Sequence, residues 1–252
     1  MLRTSLFSAV LMATSFGSTV QAAEVTVAAA ADLNFAIKEI IGGFEKATGH
    51  HVKLSLGSSG NFYAQILNGA PFEVFLSADA SYPKQLESAA QAEPGSVFVY
   101  AIGKIVFWVP KQSAVDIQTL GWKALMHPAI KKISIANPEH APYGKAAVAA
   151  MQRAGIYDAV KSKLVLGENI SQAAQFVQSG AADIGIIALS LALSDPMRDA
   201  GTYWEIPADM YPKIEQAAAL VKGAGPAAHA FLEWLKRPDT RAILSRHGFG
   251  LP

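Results

Sequence analysis

Val52-Lys53-Leu54-Ser55-Leu56-Gly57-Ser58-Ser59-Gly60-Asn61 passes from an apolar run into two small hydroxyls bracketed by glycines, and Phe62 to Leu67 follows with the look of a helix. The order is strand, tight turn, helix start. The first turn of a helix has N–H groups without intrahelical acceptors and carries a partial positive charge. With two hydroxyl donors at the same point, the junction is a ready place for an anion.

Outward from this junction the same unit recurs. Val25 to Ala30 reads as a buried strand, and Leu33 to Ala47 as a helix with Leu33, Ile37, Ile40, Ile41 and Phe44 at helical spacing. Phe72 to Leu76 is a third strand and Tyr82 to Ala90 a third helix. Ile102 to Pro110 reads as one long strand. A second series follows: strand Ile133 to Ala136, helix Gly144 to Ala154, strand Leu164 to Leu166, helix Ser171 to Ser179, strand Ile184 to Leu189. Ala217 to Val221 is a further strand, and Pro226 to Lys236 and Asp239 to His247 are the final helices. Strands alternating with helices indicate an α/β protein with mainly parallel sheets. Two such series without a flexible linker predict two lobes joined by crossing strands, with a ligand cleft between them.

The chain has 252 residues, 51% hydrophobic and 16% charged, enough to bury a sizeable core. Its 21 basic and 20 acidic residues leave a net charge of +1, which argues against nucleic acid as a partner. There is no cysteine, so disulfide scaffolds, thiol catalysis and cysteine metal sites are excluded. Residues 1–22 read as a secretory signal: Arg3, an apolar Leu6 to Phe16, and small residues at Val20-Gln21-Ala22. That run falls short of the ~20 residues of a membrane span. Export without disulfides suits the periplasm.

Four strand-to-helix junctions look alike, two in each series: Ala28 to Asn34, Gly57 to Gly60, Asn137 to Gly144, and Gly167 to Ser171. Taken singly, Asp32, Ser59 and Asn169 are ordinary helix caps. Taken together in a cleft, the four would hold a small oxyanion with neutral donors. No P-loop, G-x-G-x-x-G, G-x-S-x-G or H-E-x-x-H is present. His50-His51 precedes a strand in which neighbours point to opposite faces, so the pair does not make a metal site. A secreted hydrolase using Ser59 and His140 is a remote alternative, lacking an evident acid to orient the base.

The run Asn68-Gly69-Ala70-Pro71-Phe72-Glu73-Val74-Phe75-Leu76-Ser77-Ala78-Asp79 after Gly57-Ser58-Ser59-Gly60 resembles the molybdate-binding proteins of ABC importers. So do Ala29-Ala30-Ala31-Asp32-Leu33, Tyr100-Ala101-Ile102-Gly103-Lys104 and Asn137-Pro138-Glu139-His140-Ala141-Pro142-Tyr143-Gly144, in the same order along nearly the whole chain after the leader. The resemblance implies a type II periplasmic binding fold and no enzyme activity. Its lobes would be 23–103 with 216–252, and 104–215. It implies capture of molybdate, with tungstate as a second cargo, for delivery by a monomer to a membrane permease with its ATPase. No cofactor is implied. The same fold for sulfate, phosphate or chromate is the alternative.

By position the resemblance assigns Ser59, with Ser58 beside it, as hydroxyl donors, and Tyr143 and Ile170 as backbone N–H donors. Asp32 stands where many relatives have serine. A carboxylate ~4 Å from a dianion is repelled by roughly 8 kcal/mol at an effective dielectric of about 20. Asp32 is therefore expected to cap its own helix, leaving the N–H of Leu33 or Asn34, and the Asn34 side chain, to meet the anion. Ala188 stands where some relatives place a tyrosine; the Tyr143 phenol can compensate.

Overall fold

The computed structural model describes residues 22–252, so residues 1–21 of the leader lie outside the described residues. None of the described helices is long and apolar enough to cross a membrane.

The first series runs β1 (Glu24–Ala30), α1 (Asn34–Thr48), β2 (His51–Gly57), α2 (Ser59–Leu67), β3 (Val74–Ser77), α3 (Ser81–Ser88) and β4 (Phe98–Gly103). The second runs β5 (Ile105–Pro110), α4 (Ile117–Leu120), β6 (Ile133–Ala136), α5 (Pro142–Arg153), α6 (Tyr157–Val160), β7 (Leu164–Gly167), α7 (Ile170–Gln178), β8 (Ile184–Ala188), α8 (Leu189–Ala192), α9 (Asp195–Arg198) and β9 (Gly201–Glu205). The chain then returns through β10 (Ile214–Leu220) to α10 (Pro226–Leu235) and α11 (Pro238–Arg246).

Two five-stranded sheets result, ordered β2-β1-β3-β10-β4 and β7-β6-β8-β5-β9. In the first, β1 lies parallel to β2 and β3, while β10 is antiparallel to both β3 and β4. In the second, β6 lies parallel to β7 and β8, while β5 is antiparallel to both β8 and β9. Each sheet therefore carries one reversed strand in the fourth place, and that strand belongs to the half of the chain that arrives from the other series. This is the two-lobed periplasmic binding architecture, with an α/β layer structure in each lobe.

The expectation of a single strand from Ile102 to Pro110 is corrected. β4 ends at Gly103 and β5 begins at Ile105, in different sheets. An apolar run records burial, and both segments are buried, so its pattern carries no mark of the point where the chain changes sheet. The chain crosses there, and it crosses back between Glu205 and Ile214.

Local chemistry explains the elements that frame the cleft. On α1, Ile37, Ile40, Ile41 and Phe44 turn one face into the core, and Gly49 closes the helix at φ +74°, a left-handed conformation open to glycine at no steric cost. The core divides by lobe. One cluster gathers β1, α1 and α10; another gathers β5, β6, β8 and α5. Ala30, Ala31 and Ala78, from the ends of first-sheet strands, belong to the second of these clusters. The lobes are in contact, in a closed arrangement.

Candidate functional site

Between the lobes the four junctions converge on one cavity. Its walls are Ala30, Ala31 and Asp32 after β1; Gly57, Ser58 and Ser59 after β2; Ala78 after β3; Ala141, Pro142 and Tyr143 at the start of α5; and Ile170 at the start of α7. The empty space is about 190 Å³, counting its mouth. A wider hollow of about 850 Å³, edged by Lys84, Lys145 and Lys213, shares Ala78 and Pro142 with it and opens to solvent. The inner cavity is the candidate anion site because helix N-termini from both lobes meet there; its walls carry no lysine, arginine or histidine, so neutral donors would hold the anion.

Each junction folds as its residues dictate. Ser58 is the N-cap of α2, and its Oγ accepts from the Asn61 N–H at 3.4 Å. Asn169 caps α7 by accepting from the Gln172 N–H at 3.0 Å. Pro142 occupies the first turn of α5, where its missing N–H costs nothing. The N–H groups of Ser59, Tyr143 and Ile170 lie in the first turns of α2, α5 and α7, where no intrahelical acceptor exists. Ser59 Oγ accepts from the Ala78 N–H at 2.9 Å, which leaves its own O–H free to donate.

Hydrogen bonds across the cleft hold the closed form. Ser171 Oγ donates to the Ala31 carbonyl at 2.8 Å, and Ser190 Oγ to the Asp32 carbonyl at 2.8 Å. Ser58 Oγ and His140 Nδ1 share a hydrogen bond at 2.8 Å, and the Gly60 N–H donates to the His140 carbonyl at 2.9 Å. A Cβ on Gly60 would sit 2.5 Å from that carbonyl oxygen, so glycine is what allows this approach.

Asp32 departs from expectation. Neither the short 3-10 turn at Ala31–Leu33 nor α1 has a side-chain cap. Instead Asp32 Oδ2 accepts from the Tyr143 hydroxyl at 2.8 Å and from Gln216 Nε2. Gln216 Nε2 also donates to the Tyr143 oxygen at 3.0 Å, and Tyr100 donates to Gln216 Oε1 at 2.8 Å. The carboxylate turns instead to Tyr143 from the other lobe and to Gln216 from β10 of its own sheet. Oδ1 is buried with no hydrogen-bond partner among the described residues. Burial pushes the carboxyl up to about 6, against the pull of the Gln216 and Tyr143 hydrogen bonds and, more weakly, of the nearby backbone N–H groups of Asp32 and Leu33. Burial, with the nearby Asp32 charge, holds the phenols of Tyr143 and Tyr100 well above their ordinary range.

Of the residues singled out in the sequence, Asp32, Ser58, Ser59, Tyr143 and Ile170 meet at the cavity. Leu33, Asn34 and Ala188 are not on its walls. Leu33 packs in the first-lobe core, and Asn34 starts α1 two residues after Asp32. Ala188 is fully buried at the end of β8, opposite Ile105. The Tyr143 phenol, committed to Asp32 and Gln216, is not free to stand in for a tyrosine at 188. The hydrolase pairing of Ser59 with His140 does not form, since His140 meets Ser58. Gln216, Ser171, Ser190 and Ala78 were not anticipated. Gln216 follows Glu215 at the start of β10, where the local sequence gives no sign of its complete burial.

The family described as bacterial extracellular solute-binding protein matches residues 25–250. The molybdate-binding protein ModA of Azotobacter vinelandii is 47% identical over 92% of this chain and 91% of its own length. That of Rhodobacter capsulatus is 42% identical over 90% and 88%. Among solved structures, the Azotobacter vinelandii periplasmic molybdate-binding protein superposes with a TM-score of 0.84 at 38% identity, covering 90% of this chain and 99% of that one.

Proposed function

This chain belongs to the bacterial extracellular solute-binding proteins, in the molybdate-binding ModA family, and on that premise we propose that it captures molybdate between its lobes and hands it to an ABC permease with its ATPase. Its relatives are solute-binding transport proteins, so the work is binding and release rather than catalysis. Tungstate, of the same charge and shape, is the second cargo. The protein acts as a monomer in the periplasm after export.

The observation that carries the reading is a cavity walled by four strand-to-helix junctions and two serine hydroxyls, with no cation. The anion is held through its oxygens. Ser59 offers its O–H group, and Ser58 does so with His140 Nδ1 as the donor of their shared bond; Asp32, Ser59, Tyr143 and Ile170 offer backbone N–H groups from both lobes. Roughly six hydrogen bonds to a charged ligand, at ~1.5–3 kcal/mol each, outweigh a binding cost of ~4–15 kcal/mol in most combinations. Since each lobe supplies only part of the donor set, the anion favours the closed state by contacts that exist only there. The lobes, 23–103 with 216–252 and 104–215, move about the crossings at Lys104 and at 206–213. Sulfate, with the same charge but a smaller body, is rejected by fit.

Calorimetry and thermal shift with molybdate, tungstate, sulfate and phosphate on ligand-free protein test this. Molybdate and tungstate should raise the melting temperature by mass action, and sulfate and phosphate far less. Absence of a molybdate effect overturns the reading, and a preference for sulfate or phosphate replaces it with another oxyanion.

A further inference from the structure

Beside the phenol of Tyr143, the cavity walls carry one ionisable group, Asp32, and that group has the wrong sign. It lines the cavity, is 1% exposed, and has one oxygen saturated by Tyr143 and Gln216 and the other with no partner. The titratable groups facing it are the phenols of Tyr143 from α5 and Tyr100 from β4; Gln216 of β10 and Ser190 of α8 complete its surroundings. No lysine, arginine or histidine is hydrogen-bonded to it among the described residues. A dianion arriving beside this carboxylate has no countercharge within the walls. Like charges at close range in a buried site favour the state in which one is protonated.

We propose that oxyanion capture is coupled to the uptake of one proton by Asp32, so that the carboxyl is neutral in the loaded protein. The proposal rests on the oxyanion reading above. The proton comes from solvent and goes to Oδ1, the oxygen without a partner. Oδ2 keeps both of its donors, and Oδ1 turns from a stranded acceptor into a donor. No bond of the anion is made or broken. With the lobes closed, burial pushes the carboxyl up to about 6, so closure on the anion favours the proton. The sign follows. Where the free protein is already protonated, affinity is flat. Above the free protein's own midpoint each pH unit weakens binding by about tenfold, one proton being required. A closed lobe pair with a neutral Asp32 then holds the anion most firmly on the acidic side and releases it most readily on the alkaline side.

The test is calorimetry with molybdate at about pH 8 in two buffers of different ionisation enthalpy, repeated from about pH 7 to 9. Wild-type protein should take up about one proton per anion, with Kd rising about tenfold per pH unit. Asp32→Asn, neutral and carrying an amide donor of similar shape, should take up none and show a flat Kd. His140 faces Ser58 from the other lobe, so His140→Gln is run beside it and should keep the uptake. An infrared carbonyl band of a protonated carboxyl, growing as molybdate is added to wild-type protein, gives the same answer without a variant. Molybdate binding with no proton uptake overturns this proposal and leaves the binding reading standing. Uptake lost in His140→Gln but kept in Asp32→Asn also overturns it. No molybdate binding at any pH overturns the binding reading itself.

Discussion

The Tyr143 hydroxyl donates to Asp32 Oδ2 at 2.8 Å, joining the first turn of α5 in one lobe to the end of β1 in the other. Gln216, on the strand that returns the chain to the first sheet, donates to the same oxygen. Three segments far apart in sequence thus meet on one carboxylate at the inner end of the cleft.

That carboxylate lowers stability at neutral pH. In the folded protein Asp32 is raised from 3.8 to about 6. Between those values the native state binds more protons than the unfolded chain, so stability falls as pH rises. The stabilising contribution is complete below the unfolded value and lost once the folded value is passed. About two units correspond to about 3 kcal/mol. Ligand-free Asp32→Asn should therefore melt higher than wild type at neutral pH, with the gap closing toward pH 4; thermal melts across that range check it. A constant gap would place the cost elsewhere.

Tyr143→Phe removes a donor that favours the ionised carboxyl. The backbone N–H that faces the anion site stays. The midpoint of Asp32 titration should move upward, read from the infrared carboxylate band or side-chain carbon shifts of labelled protein. An unmoved midpoint would mean that the phenol does not bear on this carboxyl.

Gly60→Ala separates closure from folding. The new Cβ meets the His140 carbonyl 2.5 Å away across the cleft. Within α2 itself alanine is the better helix former by roughly 1 kcal/mol. The ligand-free melting temperature should hold or rise while molybdate affinity falls by ~10-fold or more, a loss of about 1.4 kcal/mol. X-ray scattering should find the protein open with molybdate present. Unchanged affinity would remove His140 from the closed contact.

Ser59→Ala should cost both binding and stability. Losing a hydroxyl donor to a charged ligand removes ~1.5–3 kcal/mol, about 10- to 100-fold in Kd. The buried Ala78 N–H, which Ser59 Oγ accepts, is left unpaired at ~1–3 kcal/mol. Titration calorimetry and urea unfolding read the two losses separately. A variant that binds normally would take the Ser59 hydroxyl out of the anion's donor set.

Strands, helices and the capped junctions were legible in the sequence because each is decided within a few residues. Apolar spacing marks the buried face of α1, and Asn169 caps its helix as expected, whereas the cap of α2 is Ser58 rather than Ser59 and Asp32 caps no helix. Five of the eight residues expected at the site stand on the cavity for the same reason: they sit where strands end and helices begin. Leu33 and Asn34 follow the wall residue Asp32 by one and two positions and fall into core and helix, while Ala188 ends a strand, β8, that does not reach the cavity.

By itself, then, the sequence determined the two α/β series, the anion-ready helix starts and the absence of a countercharge, all of which follow from residue type and near-neighbour geometry. Only the tertiary structure decided that His140 meets Ser58 and that Asp32 turns from its own helix to Tyr143 and Gln216. Those outcomes depend on which donors the fold carries to a buried carboxylate from 111 and 184 residues away. Local periodicity holds no record of contacts made by bringing distant segments together, and those contacts set the charge and closure of this site.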